Sequence, residues 1–347
     1  MTCSAQFLSA SEAARQLGVS TKALRLYEQR GLVSPVRTEA GWRTYGPTEM
    51  ARAGEIVALR ALGLSLAQVD RVLKGDPECL EPALAAHQTD LEGQICQLTD
   101  KIEKVRSLRA GLAQGQTPAA SQLAQIAQPG AGISVRFDLP WPWGGETFEL
   151  SGIAALNYIT GPLGCGKTRL AQAIAETVPD ATFLGLERTA NEGSEAQALL
   201  GTDRALRSQV EQTMNWLIDE GATDTPALIA LVATLEADTS AILVIDMVED
   251  GLDEGSQEAL MAYLRKRGPA ARPLFLLTRS CAILDLAAVG PDEKIILCPA
   301  NHSPPIQVAP WPGAPGYEAV ATCLASPEVR ARTKGVIAWR PKATQVR

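Results

Sequence analysis

Gly161-Pro162-Leu163-Gly164-Cys165-Gly166-Lys167-Thr168 is the stretch whose residue types and spacing promise chemistry. It has the form G-x-x-x-x-G-K-[ST]. Its glycines allow successive backbone N–H groups to turn inward around phosphates. A helix beginning at its end adds the positive pole of the helix dipole. Lys167 would reach the outer phosphates, the Thr168 hydroxyl would ligate Mg2+, and Arg169 supplies a further cation. The pattern arises by chance in roughly one chain in a hundred of this length. A second stretch, Ala241-Ile242-Leu243-Val244-Ile245-Asp246, is apolar and ends in a carboxylate, the arrangement that holds Mg2+ beside such a loop. ATP and Mg2+ are the expected ligands.

A loop of this type works between a buried strand and a helix. Residues 154–160 read as that strand and 168–178 as that helix. Further strands are expected at 133–139, 148–150, 182–187, 242–245, 273–278 and 294–298, with helical stretches between most of them. This alternation predicts an α/β domain with a mostly parallel sheet. Residues 310–347 are Pro-rich and then helical around 319–324, which reads as a peripheral extension. Residues 114–132, rich in Gln, Ala, Pro, Ser and Gly, read as a linker.

The amino-terminal part has a different texture. Ser20 is a good helix cap, and no Gly or Pro interrupts the ten residues after it. Leu24 and Tyr27 share one face, while Lys22, Arg25 and Gln29 lie largely elsewhere. Gly31 stops the helix. Pro35 and Gly41 then punctuate a hairpin-like wing carrying Arg37, Arg43 and Tyr45. With the capped helix upstream, this is a helix-turn-helix with a basic wing, and its second helix suits a DNA major groove. Helices follow at 47–62 and 66–73. The stretch 82–112 keeps Leu84, Leu91, Ile95, Leu98, Ile102, Val105, Leu108 and Leu112 at coiled-coil spacing, which calls for a partner helix or for packing on the second domain.

Charge supports the division. The chain carries −7 overall, yet residues 1–75 balance at +4 and the remainder at −11. A basic head on an acidic body confines phosphate contact to the head. Seven scattered cysteines, odd in number and without a CxxC pair, indicate reduced thiols. No apolar run reaches membrane-spanning length, so a cytoplasmic protein without membrane contact is expected.

Leu24-Arg25-Leu26-Tyr27-Glu28, Gly31-Leu32, Gly41-Trp42-Arg43-Thr44-Tyr45 and Leu62-Gly63-Leu64-Ser65-Leu66 stand in register, and this region resembles the DNA-binding domain of the MerR family of transcription regulators. The resemblance implies that the long helix pairs antiparallel with its copy to make a homodimer. It also implies that double-stranded promoter DNA is the partner and that RNA polymerase engages the distorted promoter. Carried over, Ser20, Lys22, Arg25, Tyr27, Arg37, Arg43 and Tyr45 are the DNA contacts. Arg25 and Arg43 would neutralise phosphates and Lys22 would reach base edges; Arg25 is alternatively a bridge between helix and wing.

Residues 133 to about 300 resemble the ABC-type ATPases at the phosphate loop and more loosely elsewhere. There the carboxylate strand is followed by a catalytic Glu, and a Gly-Leu-Asp segment closes the stretch, as Gly251-Leu252-Asp253 does here. This chain departs from that pattern. Met247 stands at the Glu position and cannot polarise water. Arg279 replaces a switch histidine, and residues 222–226 lack the expected Ser and Gly pairs. Glu249 is the substitute base and Arg279 a γ-phosphate contact, or both are solvated. Phe137, Trp141 and Trp143 are candidates to stack on adenine or to pack at the rim.

The expected layout is therefore multidomain: an all-α winged helix-turn-helix at 1–75, a coiled-coil dimerisation helix at 76–113, a linker at 114–132, an α/β P-loop domain at 133–309 and an extension at 310–347. The leading reading is a DNA-binding regulator with ATP as effector and with hydrolysis slow or absent. The alternatives are an ATPase or small-molecule kinase with an accessory DNA-binding domain, and a thiol-based metal sensor. For the last, Cys79 stands near the place of a family ligand, but residues 113–128 hold no cysteine, so no transition-metal site is expected. Cys165, at a helix N-terminus, is expected to be a reactive thiol whose modification blocks nucleotide.

Overall fold

A computed structural model describes residues 7–38, 41–113, 135–237, 240–268, 271–326 and 329 of the chain. Two compact units emerge, Met1–Pro118 and Ala119–Arg347.

In the first unit, Ser9 caps α1 (Ala10–Leu17) in a reciprocal pairing with Glu12. Gly18, at φ 68°, ends that helix in a conformation a Cβ would resist. The Ser20 hydroxyl accepts the Ala23 N–H at 3.1 Å and so starts α2 (Thr21–Gln29). Strand β2 (Val36–Arg37) pairs antiparallel with β3 (Arg43–Tyr45), which makes the wing. A short β1 (Leu8–Ser9) adds to the other side of β3 and completes a three-stranded sheet. Helices α3 (Pro47–Ala61) and α4 (Leu66–Leu73) follow, the second capped by Ser65 and Gln68. Leu24, Tyr27, Leu32, Tyr45, Ile56 and Val69 meet in one core.

Helix α5 runs Leu80–Ala113, 34 residues or about 51 Å. It starts slightly before the expected residue 82. Leu84, Leu91, Ile95, Leu98, Ile102, Val105 and Leu112 are exposed along it, and Leu108 is half-buried. The expected linker, 114–132, lies outside the described residues.

In the second unit, β4 (Val135–Asp138) and β5 (Thr147–Leu150) form an antiparallel pair. The main sheet has the order β11-β10-β6-β9-β8-β7. Its strands are β6 (Leu156–Thr160), β7 (Ala181–Leu184), β8 (Ile242–Ile245), β9 (Leu274–Leu277), β10 (Glu293–Leu297) and β11 (Ile306–Val308). All neighbours are parallel except β11 on β10. Strand residues alternate between two cores. Tyr158, Leu243, Ile245 and Leu276 join one, with α8 (Arg204–Glu220), α9 (Pro226–Glu236) and α10 (Glu254–Lys266); Ile159, Val244, Phe275 and Ile296 join the other, with α6 (Lys167–Thr177) and the β4–β5 pair. A sheet covered on both faces explains the unbroken apolar runs of β8 and β9. A 3-10 helix, Leu186–Gly193, and α7 (Ser194–Thr202) link β7 to α8.

Two expectations change here. Residues 185–187 leave the strand expected at 182–187, because the Gly185 N–H turns to donate to the Glu187 carboxylate at 2.9 Å. The stretch after Pro310 is not peripheral as far as Ala325. Val320 of α11 (Tyr317–Cys323) is fully buried in the first core, and Ala325 bridges Ser280 beside the end of β9. Among the described residues, no helix is long and apolar enough to cross a membrane.

Candidate functional site

The strand order brings five loops to one edge. Leu297 pairs with Thr160, Ile159 with Leu277, Leu276 with Ile245, and Ile245 with Leu184. The residues just beyond these pairs are Gly161, Cys298, Thr278, Asp246 and Gly185. Crevices at such carboxyl ends are where open α/β sheets place ligands.

Gly161 sits where no side chain fits. A Cβ there would lie 2.3 Å from the Cys298 carbonyl oxygen and 2.8 Å from the Cys165 sulfur. One on Gly166 would lie 2.6 Å from the Trp143 ring. Lys167 is buried, and its Nζ donates to the carbonyls of Gly161 at 2.9 Å and Pro162 at 2.8 Å. Its ammonium therefore stands at the loop's own mouth. Thr168 and Arg169 are exposed. The Thr168 hydroxyl donates to Asp246 Oδ2 at 2.9 Å, joining the start of α6 to the end of β8.

Asp246 is buried, and burial pushes its carboxyl up from the ordinary range against the pull of Thr168, Arg188 and Lys167. A divalent cation would relieve that burden, and Thr168 and Asp246 are hard-oxygen donors of the kind that could hold Mg2+. Arg188 is also buried. Its guanidinium donates to the carbonyls of Gly185 at 2.8 Å, Asp246 at 2.7 Å and Met247 at 2.5 Å. Burial pulls its pKa down, opposed by the charges of Asp250, Asp246, Glu249 and Glu187. Met247, at φ 43°, turns the chain sharply after β8. Glu249 is buried, and its Oε1 accepts the Arg279 N–H at 3.1 Å. The two sequence candidates for chemistry thus meet, with Glu249 committed to the backbone at the end of β9.

Of the aromatics, Trp143 is buried and donates its indole N–H to the Ser303 carbonyl at 3.1 Å, so it props the loop. Phe137 packs on Phe148, ring centres 5.6 Å apart. Trp141 is exposed.

In the first unit, Arg25 and Arg37 are exposed, and Lys22, Ser20 and Arg43 are half-buried. Glu28 joins α2 to the wing, pairing with Arg37 at 3.0 Å and with Arg43 Nε. The sequence offers Arg25 as an alternative bridge between helix and wing; the bonds across it are those of Glu28. Two expected DNA contacts are corrected. Tyr45 is 0% exposed, with its hydroxyl inside the core, and Tyr27 is 5% exposed with its ring in the same core. Trp42, at the tip of the wing, is 74% exposed.

Residues 8–76 match the profile of the MerR HTH family regulatory proteins. A probable heavy metal-dependent transcriptional regulator of Haemophilus influenzae is 37% identical over 106 residues, 28% of this chain and 83% of that protein. The chain belongs to the MerR family. A heavy metal-dependent transcription regulator of Rhizobium meliloti is 28% identical over 136 residues, 37% of this chain and 92% of that one. A solved MerR family regulator lacking the sensor domain, bound to promoter DNA, is similar over 32% of this chain and 92% of its own, with 23% identity and TM-score 0.25. A nucleotide-free ATP-binding cassette from an ABC transporter is similar over 59% of this chain and all of its own, with 12% identity and TM-score 0.40.

This MerR-family chain carries several site residues that local sequence did not reveal. Arg188 lies 58 residues before the carbonyl of Asp246 that it holds. Cys298 faces the phosphate loop from a separate strand. Glu28 stands inside a quoted motif, yet its two arginines come from the wing. Cys79 donates its thiol to the Gln68 carbonyl at 3.7 Å, and the described residues contain no cluster of three metal-type ligands.

Proposed function

We propose that the protein is a homodimeric transcription regulator that binds promoter DNA through its winged helix-turn-helix, and that Mg·ATP bound by the C-terminal domain is its effector. The observation that carries the second half is the Thr168–Asp246 hydrogen bond beneath a loop whose Gly161 and Gly166 admit no Cβ. The amides of residues 161–168 and Lys167 would hold phosphates, with Arg169 at the rim; Thr168 and Asp246 would hold Mg2+. The bound cation would neutralise charge on the phosphates. For Lys167 to meet a phosphate it must leave the carbonyls of Gly161 and Pro162, so binding rearranges the loop. Trp141, exposed and next in sequence to the Pro142 and Trp143 that flank Gly166, would stack on the base.

Turnover is disfavoured by Met247, which has no basic atom, and by the engagement of Glu249 with the Arg279 amide. The molecule then responds to occupancy rather than to hydrolysis. On the DNA side, Arg25, Arg37 and Arg43 supply phosphate contacts, Lys22 a base-edge contact and Ser20 the cap that fixes α2. Residues Leu84 to Leu112 of α5 present the apolar seam that a second copy would cover, and RNA polymerase would engage the bound promoter. The names of the relatives favour metal as a second effector reading, which metal analysis of the purified protein addresses.

Calorimetric titration of Mg·ATP into the full chain tests the reading. Saturable binding is expected, weakened about 100-fold by Lys167→Ala through loss of charge-assisted bonds. The same protein should change its affinity for a DNA duplex selected from a random library when Mg·ATP is added, and DNA should change ATP affinity by the same factor. No saturation with a folded protein would sink the effector role.

A further inference from the structure

Two buried thiols meet at the phosphate loop, one within it and one at the end of β10. Cys165 is 1% exposed and Cys298 is 0% exposed. Cys298 follows β10 and stands across the sheet from Gly161, which follows β6; the Cys298 N–H donates to the Thr160 carbonyl at 2.9 Å. Parallel neighbours of this kind are about 4.8 Å apart. Cys165 curls back over Gly161, whose missing Cβ leaves space for its sulfur. The Cys165 sulfur and the Cys298 carbonyl carbon lie 2.8 and 3.3 Å from the one point where a Gly161 Cβ would stand, so the two cysteines are neighbours. Lys167 Nζ stands 3.7 Å from the Cys165 sulfur. Cys165 is thus more than a thiol at a helix start: it has a partner thiol and a cation.

The pair is chemically unequal. The hydrogen bond from Cys298, with the Lys167 charge, brings the Cys165 thiol down to about 6 against the opposing effect of burial. The same bond and burial push the Cys298 thiol up. Cys165 is therefore the sulfur favoured to lose its proton, and Cys298 the one favoured to keep it.

We propose that Cys165 and Cys298 form a reversible disulfide in the presence of a peroxide, and that this bond holds the phosphate loop closed to nucleotide. This rests on the reading that the loop binds Mg·ATP. The Cys165 thiolate attacks one peroxide oxygen, the O–O bond breaks, and sulfenic acid forms with release of hydroxide or alkoxide. The Cys298 sulfur then attacks the Cys165 sulfur, the S–O bond breaks, and the departing hydroxide takes the Cys298 proton as water. Two thiols are oxidised by two electrons and one peroxide is reduced. A dithiol reverses the bond by exchange. Because Cys165 is buried, reaction needs the loop to open, and its neighbours Leu163 and Gly164 are exposed at the rim. Nucleotide bound across the loop opposes that opening, so ATP and oxidation compete.

The test uses the reduced full chain treated with hydrogen peroxide, alkylated after denaturation and mapped by peptide mass. A linked pair of peptides carrying Cys165 and Cys298 is expected. Its formation should slow at least fivefold in saturating Mg·ATP. The linked protein should bind Mg·ATP at least tenfold more weakly, with recovery after dithiothreitol. Cys298→Ala should instead accumulate a Cys165 sulfenic acid that dimedone captures. Oxidation of Cys281 or Cys323 without a Cys165–Cys298 link overturns the proposal, and so does a linked protein with undiminished ATP affinity. A reduced wild-type protein that takes no Mg·ATP sinks the nucleotide reading and the coupling with it, a result the linkage map alone does not produce.

Discussion

The wing and the sheet edge beside the phosphate loop both organise arginine against acid, and they do so under opposite physical conditions. On the wing, Glu28 is flanked by Arg37 and Arg43, with the Arg37 side chain 55% exposed. Water screens such pairs, and each contributes little to stability. In the C-terminal unit, Arg188 is buried and satisfied by three backbone carbonyls amid four acidic neighbours. Removing either side there strands a charge or a set of carbonyls. The wing thus suits a long, water-bound polyanion whose phosphates can compete for its arginines. The loop is held by its own backbone, with Lys167 tied to the carbonyls of Gly161 and Pro162.

If the loop is set by backbone packing, the largest effect should come from its tightest point. Gly161→Ala places a Cβ 2.3 Å from the Cys298 carbonyl, and φ 151° there strains any side chain. A loss of more than about 2 kcal/mol in urea unfolding is expected. Wild-type stability in this variant would show that the loop yields freely, and the contrast with the wing would collapse.

Next in size is Arg188→Met, which keeps volume and takes the guanidinium donor from the carbonyls of Gly185 and Asp246, while the Met247 carbonyl keeps the Asp250 N–H at 2.8 Å. A cost of about 3 kcal/mol is expected. Arg37→Met on the wing should cost less than about 1 kcal/mol. It should instead weaken DNA binding evenly across sequences and reduce the salt slope by about one phosphate contact. Equal stability losses for the two variants would break the comparison.

What could be read in the sequence follows the same division between local and distant. The proposed phosphate loop is eight consecutive residues, and its motif suggests a role for each without the fold. The helix-turn-helix is equally local, since Ser9, Gly18 and Ser20 punctuate it within a dozen positions. Arg188, Cys298 and Ala325 reach the site only because β6, β7, β8, β9 and β10 end at one edge, and strand order is not written in any short stretch. Tyr45 failed for another reason. Arg43 and Tyr45 lie two apart on β3 and share one face. Arg43 is next to the turn of the wing and Tyr45 is nearer the core, a gradient that alternation does not encode.

The smallest expected effect sharpens that point. The Tyr45 hydroxyl is buried in the core without a hydrogen-bond partner, and burial raises its pKa. A buried polar group of this kind costs free energy, so deleting it removes a penalty rather than a bond. Tyr45→Phe should hold stability constant or raise it by up to about 1 kcal/mol. It should leave DNA affinity within twofold, whereas Arg43→Met on the same strand should weaken it. Both are read by thermal unfolding and by DNA binding at fixed salt. A tenfold loss of DNA affinity in Tyr45→Phe would mean that the wing opens on DNA to present this hydroxyl, and the wing would then share the loop's need to rearrange before it can grip its anion.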